Sequence, residues 1–139
     1  MKQVAVIGTG RIGRIHATNL TTLPGIRLRY VSDPAGDSAA SLAALLHTQV
    51  ASIEVVLADP DIDAVVIASP TTTHSELIER VAAAGKHIFC EKPVDLSAQR
   101  AEACRRSGAD EAGAFAMRAR ARRGFEHPGA QALAAHFHQ

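Results

Sequence analysis

The chain has 139 residues, 47% of them hydrophobic, which suits one domain with a real core. A formal net charge of +1 gives no global attraction to nucleic acid or to an anionic membrane surface. No apolar run approaches the roughly 20 residues that a membrane helix needs, and Met1-Lys2-Gln3 leads straight into a strand-like run, unlike a secretory signal.

Val4 to Ile7 is a short β-branched run closed by Gly8, the pattern of a buried strand. Helical spacing then takes over with Ile12 and Ile15 and ends before Pro24-Gly25. Ile26 to Val31 alternates like a strand and is closed by Asp33-Pro34. Ser38 to Leu46 predicts a helix with Leu42, Leu45 and Leu46 on one side. Ser52 is placed to cap a brief helix that stops at Asp59-Pro60. Ala64 to Ala68 is fully apolar and therefore reads as a central strand. Thr73-His74-Ser75-Glu76 matches a capping box, with Leu77, Ile78, Val81 and Ala82 as the buried stripe behind it and Gly85 as the stop. His87 to Cys90 is a further strand, and Ser97 caps a helix containing Ala101 and Cys104. Strands alternating with helices imply parallel pairing through right-handed crossovers, so the expected class is α/β, a doubly wound parallel sheet.

Gly8-Thr9-Gly10-Arg11-Ile12-Gly13 is G-x-G-x-x-G, a weak pattern alone. Here it follows the first strand and opens a helix, which is the context that gives it meaning. Gly8 permits the tight turn, Gly10 lets the backbone approach a pyrophosphate, and Gly13 lets the helix pack close to the strand. Arg11 and Ile12 fall in the first helical turn, where unpaired N–H groups and the helix dipole favour phosphate charge. Asp33 lies 20 residues beyond Gly13, at the end of the second strand, where an acid accepts hydrogen bonds from ribose hydroxyls. A 2′-phosphate there would meet like charge, so the expected cofactor is NAD over NADP. The bland reading of Asp33-Pro34 is a turn starter. Arg27 and Arg29 do not sit where a 2′-phosphate clamp belongs. The segment Ser69 to His74 follows the central strand, and ligands of open α/β sheets bind beyond strand carboxyl ends. Ser69, Thr71 and His74 are therefore candidate cofactor-loop residues, with His74 not taken as a catalytic base. His16, one turn after Ile12, reads as a packing residue. Cys90 and Cys104 form no C-x-x-C pair and read as reduced, buried thiols, which fits a cytoplasmic location. No His, Cys and Asp spacing suggests a metal site.

Three segments in order carry a family resemblance: Gly8 to His16, Ala68 to His74, and Ala84-Gly85-Lys86-His87-Ile88-Phe89-Cys90-Glu91-Lys92-Pro93. Together they resemble the Gfo/Idh/MocA family of sugar and cyclitol oxidoreductases, and within it the inositol dehydrogenase branch most. The resemblance covers about residues 3 to 105 and implies a Rossmann-type domain. It implies hydride transfer from a secondary alcohol of a cyclitol or sugar to the nicotinamide. Lys92 matches the family's active-site lysine, with Glu91 and Pro93 beside it at the cofactor. A lysine ammonium there can hold substrate hydroxyls and tune proton transfer. Without the resemblance, Glu91-Lys92-Pro93 would read as a solvated turn.

The pattern departs from the family after Arg106. The family continues with a sixth strand and a large substrate domain bearing an aspartate and a histidine, and no match to that pair is found here. Ala114 to Met117 can stand in for the sixth strand, and Phe125-Glu126-His127-Pro128 only faintly resembles the family motif that follows it. Residues 1–99 carry eight Lys/Arg against ten Asp/Glu, whereas residues 100–139 carry seven against four, so the composition shifts as well. The basic run Arg118 to Arg123 lacks interleaved aromatics and reads as a solvated face, not a nucleic-acid site. The expected organisation is an NAD-binding domain over residues 1–107, extending at most to about 118, and an atypical Ala/Arg/His-rich tail over 108–139. The expectation is a truncated or frameshifted product lacking the substrate domain and inactive alone, taking a cyclitol or sugar only if that domain is supplied. The alternatives are a non-catalytic NAD-binding module or a non-functional remnant.

Overall fold

The computed structural model describes residues 1–90. The expected helix at Ser97, the stand-in sixth strand and the tail lie outside the described residues, as do Glu91, Lys92 and Pro93. The described chain runs β1 (Lys2–Ile7), α1 (Arg11–Leu20), β2 (Ile26–Ser32), α2 (Gly36–Leu46), β3 (Gln49–Val50), α3 (Ile53–Ala58), β4 (Ala64–Ile67), a 3₁₀ turn (Thr71–Thr73), α4 (His74–Ala83) and β5 (His87–Cys90). The five strands form one sheet in the order β3-β2-β1-β4-β5, and every pair is parallel. The direction in which successive strands are added across the sheet reverses between β1 and β4. That makes the carboxyl ends of these two strands the place where flanking loops part and a ligand can enter.

The pleat of β1 explains the layering. Val4 and Val6 point into one core with Ala17 and Leu20 of α1 and Leu42 and Ala43 of α2. Ala5 and Ile7 point into the opposite core with Val56 of α3 and Leu77, Ile78 and Val81 of α4. The sheet is therefore covered on both faces, and the apolar run of β4 is buried at all four positions between β1 and β5. No helix among the described residues is long and apolar enough to cross a membrane.

Several local expectations hold and others need correction. Ser52 caps α3 by accepting from the Val55 N–H at 3.2 Å. Gly85, at φ +75°, ends α4 in a Schellman arrangement: its N–H bonds the Ala82 carbonyl and the Lys86 N–H bonds that of Val81. The capping box at Thr73 is not formed. A 3₁₀ turn runs directly into α4, so the Thr73 backbone is already helical and its hydroxyl donates back to the Pro70 carbonyl at 2.6 Å. Ile12 and Ile15 have helical spacing but are about half exposed, and the buried face of α1 is Gly13, His16, Ala17 and Leu20. Leu45 also faces outward, because the small residues Ala39 and Ala43 sit with Leu42 against the sheet. Strand β3 has no counterpart in the sequence pattern, because its two residues are exposed and show no strand alternation.

Candidate functional site

The turn from β1 into α1 is built by its glycines. Gly8 has φ +99°, a conformation that favours glycine, and a Cβ there would lie 2.5 Å from the Ser69 backbone nitrogen. The first glycine therefore also lets the β1 and β4 loops touch. A Cβ at Gly13 would lie 1.8 Å from the Gly8 carbonyl oxygen, so only glycine lets α1 sit this close to the end of β1. Gly10 differs from both. It has extended geometry, φ −71° and ψ −165°, and nothing lies within 4 Å of an added Cβ. Its lack of a side chain keeps that space open. No side chain caps the start of α1, and no acidic residue lies in its first turn. Its amide groups and dipole therefore remain suited to an anion.

A cleft of about 620 Å³ opens at this point, within the usual range for small-molecule sites. Its walls bring together Gly8, Gly10, Arg11 and Ile12 from the fingerprint, Asp33 from the end of β2, and Ser69 from the end of β4. Ile53, Pro70 and Leu77 add apolar surface, and Arg80 and Glu76 stand among the lining residues. Gly13, Thr71 and His74 do not line the cleft. Gly13 acts beneath it through packing. His74 is 1% exposed, with Nε2 2.7 Å from the Ser69 carbonyl oxygen. That acceptor requires the Nε2–H form, so the ring fixes the loop from behind. The Ser69 and Thr73 hydroxyls, 2.6 Å apart, tie the same loop across its short turn.

Asp33 is held from two sides. Its Oδ2 accepts from the Thr9 N–H at 2.7 Å and the Thr9 hydroxyl at 3.0 Å. Its Oδ1 accepts from the Ala35 N–H at 2.8 Å. The turn-starter reading is thus correct as local structure, and the same carboxylate borders the cleft. Partial burial pushes its pKa up, but the hydrogen bonds from Thr9 and Ala35 outweigh this and hold it below the usual carboxylate range. The group is anionic at neutral pH. Arg29, by contrast, is engaged away from the cleft, with Nε 3.1 Å from Asp59 Oδ2 and Nη1 donating to Gln3. Among the described residues no group of three or more His, Cys, Asp or Glu side chains is placed to hold a metal ion.

Sequence reasoning missed Thr9, Pro34, Ile53, Ala68, Leu77 and Arg80. Pro34 and Ala68 adjoin residues already singled out, and that adjacency was the available signal. Ile53, Leu77 and Arg80 come from helices distant in sequence, and only the fold brings them to the cleft.

Comparison with known proteins agrees with this fold. The Gfo/Idh/MocA family model, an oxidoreductase family with an NAD-binding Rossmann fold, matches residues 2–117. An inositol 2-dehydrogenase of Rhizobium meliloti is 48% identical over 99 residues, which is 71% of this chain and 30% of the relative. The crystal structure of a myo-inositol dehydrogenase from Corynebacterium glutamicum superposes with a TM-score of 0.74 at 37% identity, covering 84% of this chain and 34% of that one. A scyllo-inositol dehydrogenase from Lactobacillus casei, solved with NAD(H) and scyllo-inositol, gives a TM-score of 0.73 at 30% identity, covering 78% and 33%. The chain thus spans about a third of the length of these relatives.

Proposed function

The chain belongs to the Gfo/Idh/MocA oxidoreductase family, and from that membership we propose that it is the cofactor half of an NAD-dependent dehydrogenase acting on a cyclitol or sugar. The observation that carries this reading is the single cleft joining the open Gly10 position, the start of α1, the Asp33 carboxylate and the Ser69 loop. NAD bound there would set its pyrophosphate against Gly10 and the first turn of α1, and its adenosine ribose against Asp33. The apolar surface of Ile53, Pro70 and Leu77 suits the adenine ring. NAD held there would supply the hydride acceptor for oxidising a secondary alcohol to a ketone, with one proton released. Lys92, two residues beyond the end of β5, is proposed to hold the reacting hydroxyl and assist its proton transfer, with Glu91 and Pro93 beside it.

Inositol chemistry enters through the relatives named above and is proposed for this chain on that ground. We propose further that the 139 residues alone do not turn over. Orienting an alcohol against a nicotinamide supplies on the order of 7–11 kcal/mol in well-placed systems, and it needs walls on the substrate side as well as Lys92. The test is the purified chain with NAD and myo-inositol, followed by NADH absorbance. Saturable NAD binding without inositol-dependent NADH is the expected result. Turnover that saturates in inositol and is lost in Lys92→Ala would refute the cofactor-half reading. Absence of any NAD binding would refute the function altogether.

A further inference from the structure

Thr9 occupies the variable position between the first two fingerprint glycines and is fully buried, although its side chain is polar. Its hydroxyl lies 3.0 Å from Asp33 Oδ2 and 2.9 Å from Ser38 Oγ, and Ser38 Oγ in turn donates to the Thr9 carbonyl at 3.0 Å. Each hydroxyl has one proton. The Ser38 proton goes to the Thr9 carbonyl, and the Thr9 proton goes to the charged acceptor, the stronger of its two choices. Three segments are thereby joined: the glycine turn, the end of β2 and the first turn of α2.

We propose that Thr9 and Ser38 are positioning residues that lock the Asp33 carboxylate in place and so set the preference for a dinucleotide with an unmodified ribose over one bearing a 2′-phosphate. This rests on the cofactor reading above. A carboxylate offers about four acceptor positions. Thr9 fills two on Oδ2 and Ala35 fills one on Oδ1, leaving one on Oδ1 for a ribose hydroxyl. A freely rotating aspartate could swing aside to admit a phosphate. Each bond that holds it raises the cost of that swing, the Thr9 hydroxyl adding a third to the two backbone amides, and a 2′-phosphate must then face a more firmly fixed negative charge. Selectivity therefore depends on the side chains behind Asp33 as well as on Asp33 itself.

The experiment measures NAD and NADP dissociation constants by calorimetry for the full 139-residue chain and for Thr9→Val, Thr9→Ser and Ser38→Ala. Thr9→Val keeps shape and removes the hydroxyl. It should weaken NAD about fivefold, the scale of one net hydrogen bond, without weakening NADP, so that the ratio of the two constants shifts toward NADP. Thr9→Ser should restore the wild-type ratio, and Ser38→Ala should shift it in the same direction as Thr9→Val. A merely structural role would weaken both cofactors equally. If circular dichroism shows Thr9→Val unfolded, Ser38→Ala decides. Equal losses for both cofactors, or an unchanged ratio in the folded variants, would overturn the inference while leaving NAD binding intact. A wild-type chain that binds neither cofactor would overturn the cofactor reading and this inference with it.

Discussion

Replacing Gly10 by alanine adds one methyl group where nothing else lies within 4 Å, on a backbone that any residue can adopt. Two small effects on folding oppose each other. Alanine is a poorer helix N-cap than glycine, but it reduces the freedom of the unfolded chain by about 0.4–1 kcal/mol. Stability should stay within about 1 kcal/mol of wild type. Gly13→Ala is the control with the opposite expectation. It gains about 1 kcal/mol in helix propensity, yet its Cβ would sit 1.8 Å from a backbone oxygen that cannot rotate away. Overpacking of this kind costs about 1–3 kcal/mol and often more. At about 4 °C per kcal/mol for a chain this size, a net loss of 2 kcal/mol lowers Tm by roughly 8 °C. Binding reverses the order of interest. The Gly10 methyl enters the space proposed for the pyrophosphate, so NAD affinity should fall tenfold or more, about 1.4 kcal/mol. Gly10→Val should abolish binding. Thermal unfolding by circular dichroism and NAD calorimetry on the same preparations separate the two effects. A Gly10→Ala variant that melts as low as Gly13→Ala, or a folded Gly10→Val that binds NAD normally, would refute the reasoning.

Asp33→Asn should weaken NAD by roughly 1.5–3 kcal/mol, the range for bonds to charged groups, measured by the same titration. The native carboxyl titrates below its ordinary value of 3.8. Its stabilising contribution is therefore present above that value and lost as pH falls through the lowered folded value. The Tm gap between wild type and Asp33→Asn should accordingly close in strong acid. Lys86 is buried, and its Nζ donates to the carbonyls of Asp59 at 2.7 Å and Ile62 at 3.0 Å. Lys86→Met should cost about 1–3 kcal/mol in urea unfolding by leaving those carbonyls short of a donor. Burial pushes the Lys86 pKa down, against the pull of Asp59 and Asp63. The unfolded chain thus binds more protons between the lowered value and 10.5, and wild-type stability gains from this group as pH rises through that window. The gain should be missing in Lys86→Met.

The strands were legible because β1, β4 and β5 are short apolar runs with abrupt ends, and burial on both faces removes any need for alternation. The two-residue β3 was not, since Gln49 and Val50 are exposed and their pairing is a property of the sheet. Helix faces were harder than helix existence. Ile12 and Ile15 look like a core stripe, but the close approach at Gly13 turns the opposite side of α1 inward. The Thr73 capping box failed because the backbone before it is already wound. At the site, the glycines and Asp33 could be read from spacing, because the spacing follows from the strand-turn-helix geometry itself. Thr9 could not, since a variable position in a motif carries no pattern and its role depends on Ser38, which donates to its carbonyl from 29 residues away. His74 reads in the sequence as a cofactor-loop residue, but it is the first residue of α4, buried behind Ser69 and outside the cleft lining, which only the fold reveals.

The central claim is that the cleft at the carboxyl ends of β1 and β4 is a dinucleotide site. A calorimetric titration of the 139-residue chain with NAD, repeated with NADP and with the Gly10→Val variant, tests it most directly. The account predicts saturable one-to-one binding of NAD, weaker binding of NADP, and no binding of NAD by a folded Gly10→Val chain. Equal affinity for the two cofactors in the wild-type chain, or NAD binding that survives Gly10→Val unchanged, would contradict it.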